Sequence, residues 1–235
     1  MVWYENYDFE SDPFLKPEMT FGSKKVVDEL VYRVESGSLV YIEGPAGAGK
    51  SSVLRKLIDE FGGKGKVIFF DCGQIDRKVN IELLMTGKYG FFGKMFKVKP
   101  KDMILLLDNA NYLSMKNCER IKYYFDNNFV KSVIFTGTYY AKAHFSDSLR
   151  DRIGGRVVQL PVLSPDDAVK LTRERAPNVD LFTDDIIKKI YKQSQNNPKK
   201  FLSNLSSIAQ KAWSDGEAKV TEDWLKGYFG GADGK

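Results

Sequence analysis

At 235 residues, with 43% apolar and 29% charged positions, the chain has an ordinary globular composition and is long enough to bury a sizeable core. Its net charge of +5 permits an acidic partner such as nucleic acid without demanding one. No apolar run exceeds strand length, so no membrane insertion is expected, and Cys72 and Cys118 stand far apart without metal-ligand spacing, as in a reduced, cytoplasmic protein.

The first residues, "MVWYENYDFESDPF", are acidic and aromatic, unlike a signal peptide. A helical pattern near 24–35 leads into the apolar run "LVYIEG" (39–44), which reads as a buried strand. The loop "EGPAGAGKSS" (43–52) follows, and a second helical pattern runs through 50–61. Gly44, Gly49, Lys50 and Ser51 match the phosphate-binding pattern G-x-x-x-x-G-K-[ST], with Pro45, Ala46, Gly47 and Ala48 between them and Ser52 after. Glycines let backbone N–H groups curl around a phosphate, and the helix start points its positive dipole end there. Lys50 is placed to reach the β- and γ-phosphates, and the Ser51 hydroxyl to sit on Mg²⁺. Strand, loop and helix in this order predict a nucleoside triphosphate site.

The next strand-like runs are "KVIFFDC" (66–72), "MILLLDN" (103–109), "SVIFTGT" (132–138) and "RVVQLPV" (156–162), with helical patterns near 79–86, 115–127 and 144–152. Such alternation predicts an α/β fold with a five-stranded parallel sheet flanked by helices. Asp108, at the exit of "MILLLDN", is a second nucleotide signature, since a carboxylate beside the phosphate loop can hold the Mg²⁺ shell. After residue 162 the pattern becomes purely helical. Ser164, Pro165 and Asp167 form a helix start of cap, first-turn proline and returning carboxylate. Further starts stand at Thr183, Pro198 and Thr221, and "GGADGK" closes the chain as a fraying tail. The expected division is a nucleotide domain over 1–163 and a small all-α domain over 164–235.

In this order, the phosphate loop, "LLLDNA", the polar strand end "FTGT", "SLRDRIGGRVVQLPVLSPDDAVKL" and "NNPKKFLSNL" resemble the AAA+ P-loop ATPases. The likeness is closest to clamp loaders and origin-binding initiators and to related ATPases of transposition and secretion, and it extends over residues 5–228. It implies a sheet order of 5-1-4-3-2, a helical lid, and ATP with Mg²⁺ as ligands. It also implies that Thr136 or Thr138 senses the γ-phosphate. Arg152, with Arg150 as the alternate, takes the position of an arginine finger acting on a neighbouring subunit's nucleotide, which implies a homo- or hetero-oligomer. Lys199, or else Lys200, takes the place of the lid's basic residue, where the family usually has arginine. The stretch 21–30 resembles the segment near adenine, so Phe14 and Phe21 are read either there or in a core.

One departure concerns the glutamate that polarises water after the Mg²⁺ aspartate: Asn109 holds that position here. An amide orients water but cannot take its proton, a contribution of about 10²–10⁴-fold. Asp71 is the other candidate carboxylate. The residues therefore favour ATP and ADP binding and a slow switch over a fast motor. Segment 86–101, "TGKYGFFGKMFKVKPK", interleaves five lysines with Tyr89, Phe91, Phe92 and Phe96. Cations beside stackable rings suit nucleic acid, and the resemblance puts this segment where related ATPases face DNA. The rings folded into the core and the lysines solvated is the competing reading. Assembly on DNA or a DNA-processing complex is the leading expectation. A DNA-independent scaffold acting through proteins, or an actively hydrolysing remodeller, are the alternatives. His144 has no partner at ligand spacing.

Overall fold

A computed structural model describes residues 2–16, 24–62, 67–73 and 101–230. The helix expected over 79–86, residues 86–100 of the lysine–aromatic segment, Phe21 and the last five residues lie outside the described residues. Among the described residues, the chain divides into two units. One comprises 24–46, 50–62, 67–73 and 101–161; the other comprises 2–16, 47–49 and 162–230.

The first unit is the predicted α/β sheet. Strands β1 (Leu39–Glu43), β2 (Val67–Asp71), β3 (Met103–Asp108), β4 (Val130–Gly137) and β5 (Val157–Gln159) are all parallel, in the order β2-β3-β4-β1-β5. This is the implied 5-1-4-3-2 order viewed from its other edge. Parallel strands covered on both faces read as continuous apolar runs, and every residue of β3 is buried. Helices α1 (Lys24–Glu35) and α2 (Lys50–Gly62) lie on one face. Helices α3 (Met115–Asp126) and α4 (Asp147–Ile153) cover the other, where Leu105, Leu107, Val133 and Phe135 meet Cys118, Ile121, Leu149 and Ile153.

Of the boundaries that differ from the sequence pattern, two have a clear local cause. Helix α4 begins at Asp147 rather than near 144, because the Ser146 hydroxyl accepts the Leu149 N–H and caps it. Strand β5 ends at Gln159, two residues before Pro161, which has no N–H for a ladder.

The second unit contains α5 (Pro165–Arg175), α6 (Asp184–Gln193), α7 (Pro198–Ser214) and α8 (Glu222–Gly230). Ser164 and Asp167 form the predicted reciprocal capping box, and Thr183 and Asn197 cap the next two helices. The N-terminal segment packs in this unit's core. Trp3 stacks on Phe14 at 5.4 Å, and Phe14 contacts Phe182. Phe14, 1% exposed, is thus a core residue here, and the adenine-side reading of it does not hold. Arg175 fastens the segment by donating to the carbonyls of Phe14 and Lys16. Among the described residues, no helix is long and apolar enough to cross a membrane.

Candidate nucleotide site

The site begins where β1 ends. Gly44 donates to the carbonyl of Gly137 on β4, which fixes the loop's origin beside that strand. Gly47 and Gly49 have φ of 79° and 94°, the left-handed region where a side chain is strained. Ala46 and Ala48 alternate with them, and helix α2 starts at Lys50. The Lys50 ammonium, on a residue only 8% exposed, turns back into the loop and donates to the carbonyls of Gly44 at 2.7 Å and Pro45 at 2.8 Å. Burial holds it below the usual lysine range, and the Asp108 carboxylate opposes that shift. Ser51 and Ser52 occupy the following positions of the first turn, both partly buried.

Strand register supplies the opposite wall. Asp71 is paired with Asp108 across β2 and β3, and Thr136 is the corresponding residue of β4. These three share the sheet face that meets α2, since each stands two residues beyond an apolar residue of that face: Phe69, Leu106 and Ile134. Asp108 is 4% exposed. Its Oδ2 accepts the Ser51 hydroxyl at 2.5 Å, and its Oδ1 accepts the Thr136 hydroxyl and the Asn109 N–H. A buried carboxylate is tolerable only when so bonded. Asn109 has φ of 54°, a conformation asparagine tolerates better than most residues. Its Nδ2 thereby donates to Asp71 Oδ1 at 2.8 Å, and the Gly73 N–H reaches the same oxygen at 2.9 Å.

The remaining candidates separate clearly. Thr136 belongs to the Asp108 network, whereas Thr138 lies just past the end of β4. Arg150 is tied to its own loop. It donates to the carbonyls of Tyr140, Ala143 and Phe145, and its guanidinium lies over the Tyr140 ring. Arg152 is half-exposed, with Nε 2.8 Å from Asp126. Lys199 is exposed in the first turn of α7, and Lys200 donates to Gln195. His144 is exposed, and the described residues contain no cluster of three or more His, Cys, Asp or Glu that would hold a metal by themselves.

Sequence reasoning missed two features here. Tyr41 donates to Asn111 at 2.8 Å close against Gly137, where a Cβ would stand 1.8 Å from the phenol oxygen. Glu43 accepts the Tyr140 N–H, linking the end of β1 to the turn that Arg150 holds. Neither residue type at these positions announces a long-range partner.

No family model matches the chain. Over 52 residues it is 38% identical to the hemin import ATP-binding protein HmuV of Vibrio cholerae, a stretch covering 22% of this chain and 20% of that protein. The chain thus spans about a fifth of the length of the curated relatives it matches. Among solved structures, the ORC1 protein of Aeropyrum pernix, determined in complex with DNA, is 14% identical with a TM-score of 0.69, covering 93% of this chain and 70% of that one. Domain III of the replication initiation protein DnaA of Thermotoga maritima is 15% identical with a TM-score of 0.63, covering 88% and 90% respectively. At these identities the likeness is one of fold.

Proposed function

From the AAA+ P-loop fold that this chain has, we propose that it is an ATP-binding switch that hydrolyses slowly and assembles on DNA or a DNA-processing complex. The observation that carries this reading is the bonded set in which Ser51, in the first turn of α2 beside buried Lys50, reaches Asp108, itself joined to Thr136 at the strand ends. Two oxygen donors beside a buried lysine suit a triphosphate with Mg²⁺. In this reading residues 44–52 cradle the phosphates, Lys50 neutralises the β- and γ-oxygens, and Ser51 and Asp108 hold the metal. When bound, Mg²⁺ supplies charge neutralisation at the transferring phosphoryl group. Thr136 senses the γ-phosphate through its bond to Asp108, and Lys199 serves as the cation of a lid formed by 164–235.

Arg152 is proposed as the arginine given to a neighbouring subunit. It closes α4, at the end of the sheet where the strands begin, while the chain's own phosphate loop is at the end where they finish. DNA contact is assigned to segment 86–101 on its composition, five lysines among aromatic rings. The Aeropyrum pernix protein of the same fold was solved with DNA, which supports DNA as the class of partner.

The test is DNA binding by fluorescence anisotropy with ATP, with ADP and without nucleotide, over a salt series. ATP should strengthen binding, and replacing Lys94, Lys97 and Lys99 by Ala should flatten the salt slope by about one unit for each phosphate left without its lysine. No binding at low salt by folded, ATP-loaded protein would transfer the function to a protein partner.

A further inference from the structure

Asn109 lacks the chemistry of a base, yet it is not idle. We infer that Asp71 is the catalytic base for ATP hydrolysis and that Asn109 is the residue that positions it. This inference rests on the ATP-binding reading above and identifies how that site turns over. Three observations converge on it. Asp71 is the register neighbour of Asp108 on the sheet face that meets α2, so its backbone stands one strand spacing, about 4.8 Å, from that of Asp108. Asn109, held at φ 54° by its N–H bonds to Asp108 and Thr136, donates Nδ2 to Asp71. The Gly73 N–H meets the same oxygen, so among the described residues Oδ1 takes both bonds and Oδ2 is the oxygen left for a water.

The pair divides the work that one glutamate does elsewhere. The Asp71 carboxylate accepts a proton from water while the water oxygen bonds to the γ-phosphorus. The bond from that phosphorus to the β–γ bridging oxygen breaks, ADP leaves with its electron pair, and the proton passes from Asp71 to product phosphate or solvent. The Asn109 amide fixes the carboxylate's rotamer and takes no proton. Asp71 lies on β2, one strand further from the phosphate loop than β3, which makes it a remote base and hydrolysis slow.

The experiment compares the full chain with Asp71→Asn, Asn109→Ala and the double variant, by single-turnover hydrolysis and by calorimetric affinity for ATP and ADP. Asp71→Asn keeps the side chain's size, and unchanged melting temperature verifies folding. It should lower turnover by about 10²–10⁴-fold, the usual general-base contribution. It should also tighten ATP binding relative to ADP, because removing one negative charge beside the site relieves repulsion toward the γ-phosphate. Asn109→Ala should slow turnover, Asn109→Gln should restore part of it, and Asn109→Ala should add nothing once Asp71 is Asn. Wild-type turnover in Asp71→Asn, equal changes in ATP and ADP affinity, or a wild type that binds ATP without hydrolysing it would each overturn the inference. Additive effects of the two variants would remove Asn109 from the role. A wild type that binds no ATP would defeat the nucleotide reading instead, a distinct failure.

Discussion

Where β3 and β4 finish, the sheet hides Asp108 and Thr136; at the ends where the strands begin, a set of polar groups stands open. Asp108 is 4% exposed and answers Ser51, Thr136 and Asn109 at once. At the opposite ends, Gly37, Asp102, Asn128, Asp126 and Arg152 line an open cavity of about 460 Å³, and the Arg152 side chain is 50% exposed. Removing a carboxylate from water is costly unless every lone pair is answered, and an apolar residue at the same place would be cheaper for folding. The buried end therefore carries a cost that folding alone does not require, which fits the nucleotide site proposed there. The open end carries no such cost, and its Arg152, paired with Asp126 at half exposure, is the arginine proposed to act on another chain.

The largest difference between the two ends should be in ligand binding. Lys50→Ala is expected to bring ATP affinity below calorimetric detection, because it removes the cation among the loop carbonyls that the proposed site turns on the phosphates. Near-unchanged affinity in a folded variant would break the assignment of the buried end to nucleotide. The same substitution also relieves the burial of a charged group, so the melting temperature should not fall in proportion to the impaired function.

Stability sharpens the contrast next. Thr136→Val preserves shape but deletes the hydroxyl that donates to Asp108 and accepts the Asn109 N–H. Leaving buried polar groups short of a partner should cost about 1–3 kcal/mol in urea denaturation. A loss within error of zero would mean that water substitutes freely, and that this end is less closed than its burial indicates.

Legibility in the sequence followed the range of the interactions. The loop 44–52 was readable because its pattern is local: two glycines have left-handed backbone, and Lys50 and Ser51 follow at fixed offsets. The parallel sheet was readable because strands buried on both faces carry unbroken apolar runs. Helix starts at Ser164, Thr183 and Pro198 were visible for the same local reason, while the Asn197 cap before Pro198 was not singled out. What depends on pairing between distant segments was not. Asp71 and Asn109 are 38 residues apart, and only register together with an asparagine in the left-handed region brings them together. Phe14 was open between two places until its stacking on Trp3 put it in the core with Phe182. Arg150 and Arg152 look interchangeable in "LRDRI", yet a half-turn of helix directs one into the carbonyls of 140–145 and the other outward.

That last pair gives the smallest expected effect on the isolated chain and the most specific one on assembly. Arg152 meets Asp126 at 2.8 Å, but at half exposure such a pair contributes only about 0–1 kcal/mol and is screened by salt. Arg152→Ala should therefore leave urea stability within that margin and leave ATP affinity of the single chain unchanged. Its effect should emerge only when chains meet, as a loss of ATP-dependent oligomers in sedimentation velocity, since an arginine's planar donors stabilise charge on a neighbour's phosphoryl group. Arg150→Ala is the informative control, because it cuts the bonds to three backbone carbonyls and should lower stability whatever the nucleotide. Should Arg152→Ala destabilise the monomer as much as Arg150→Ala does, Arg152 would be a structural residue and the open end would lose its claim on a partner. A protein that stays monomeric with ATP at every concentration, with no second chain completing the site, would equally end the finger reading.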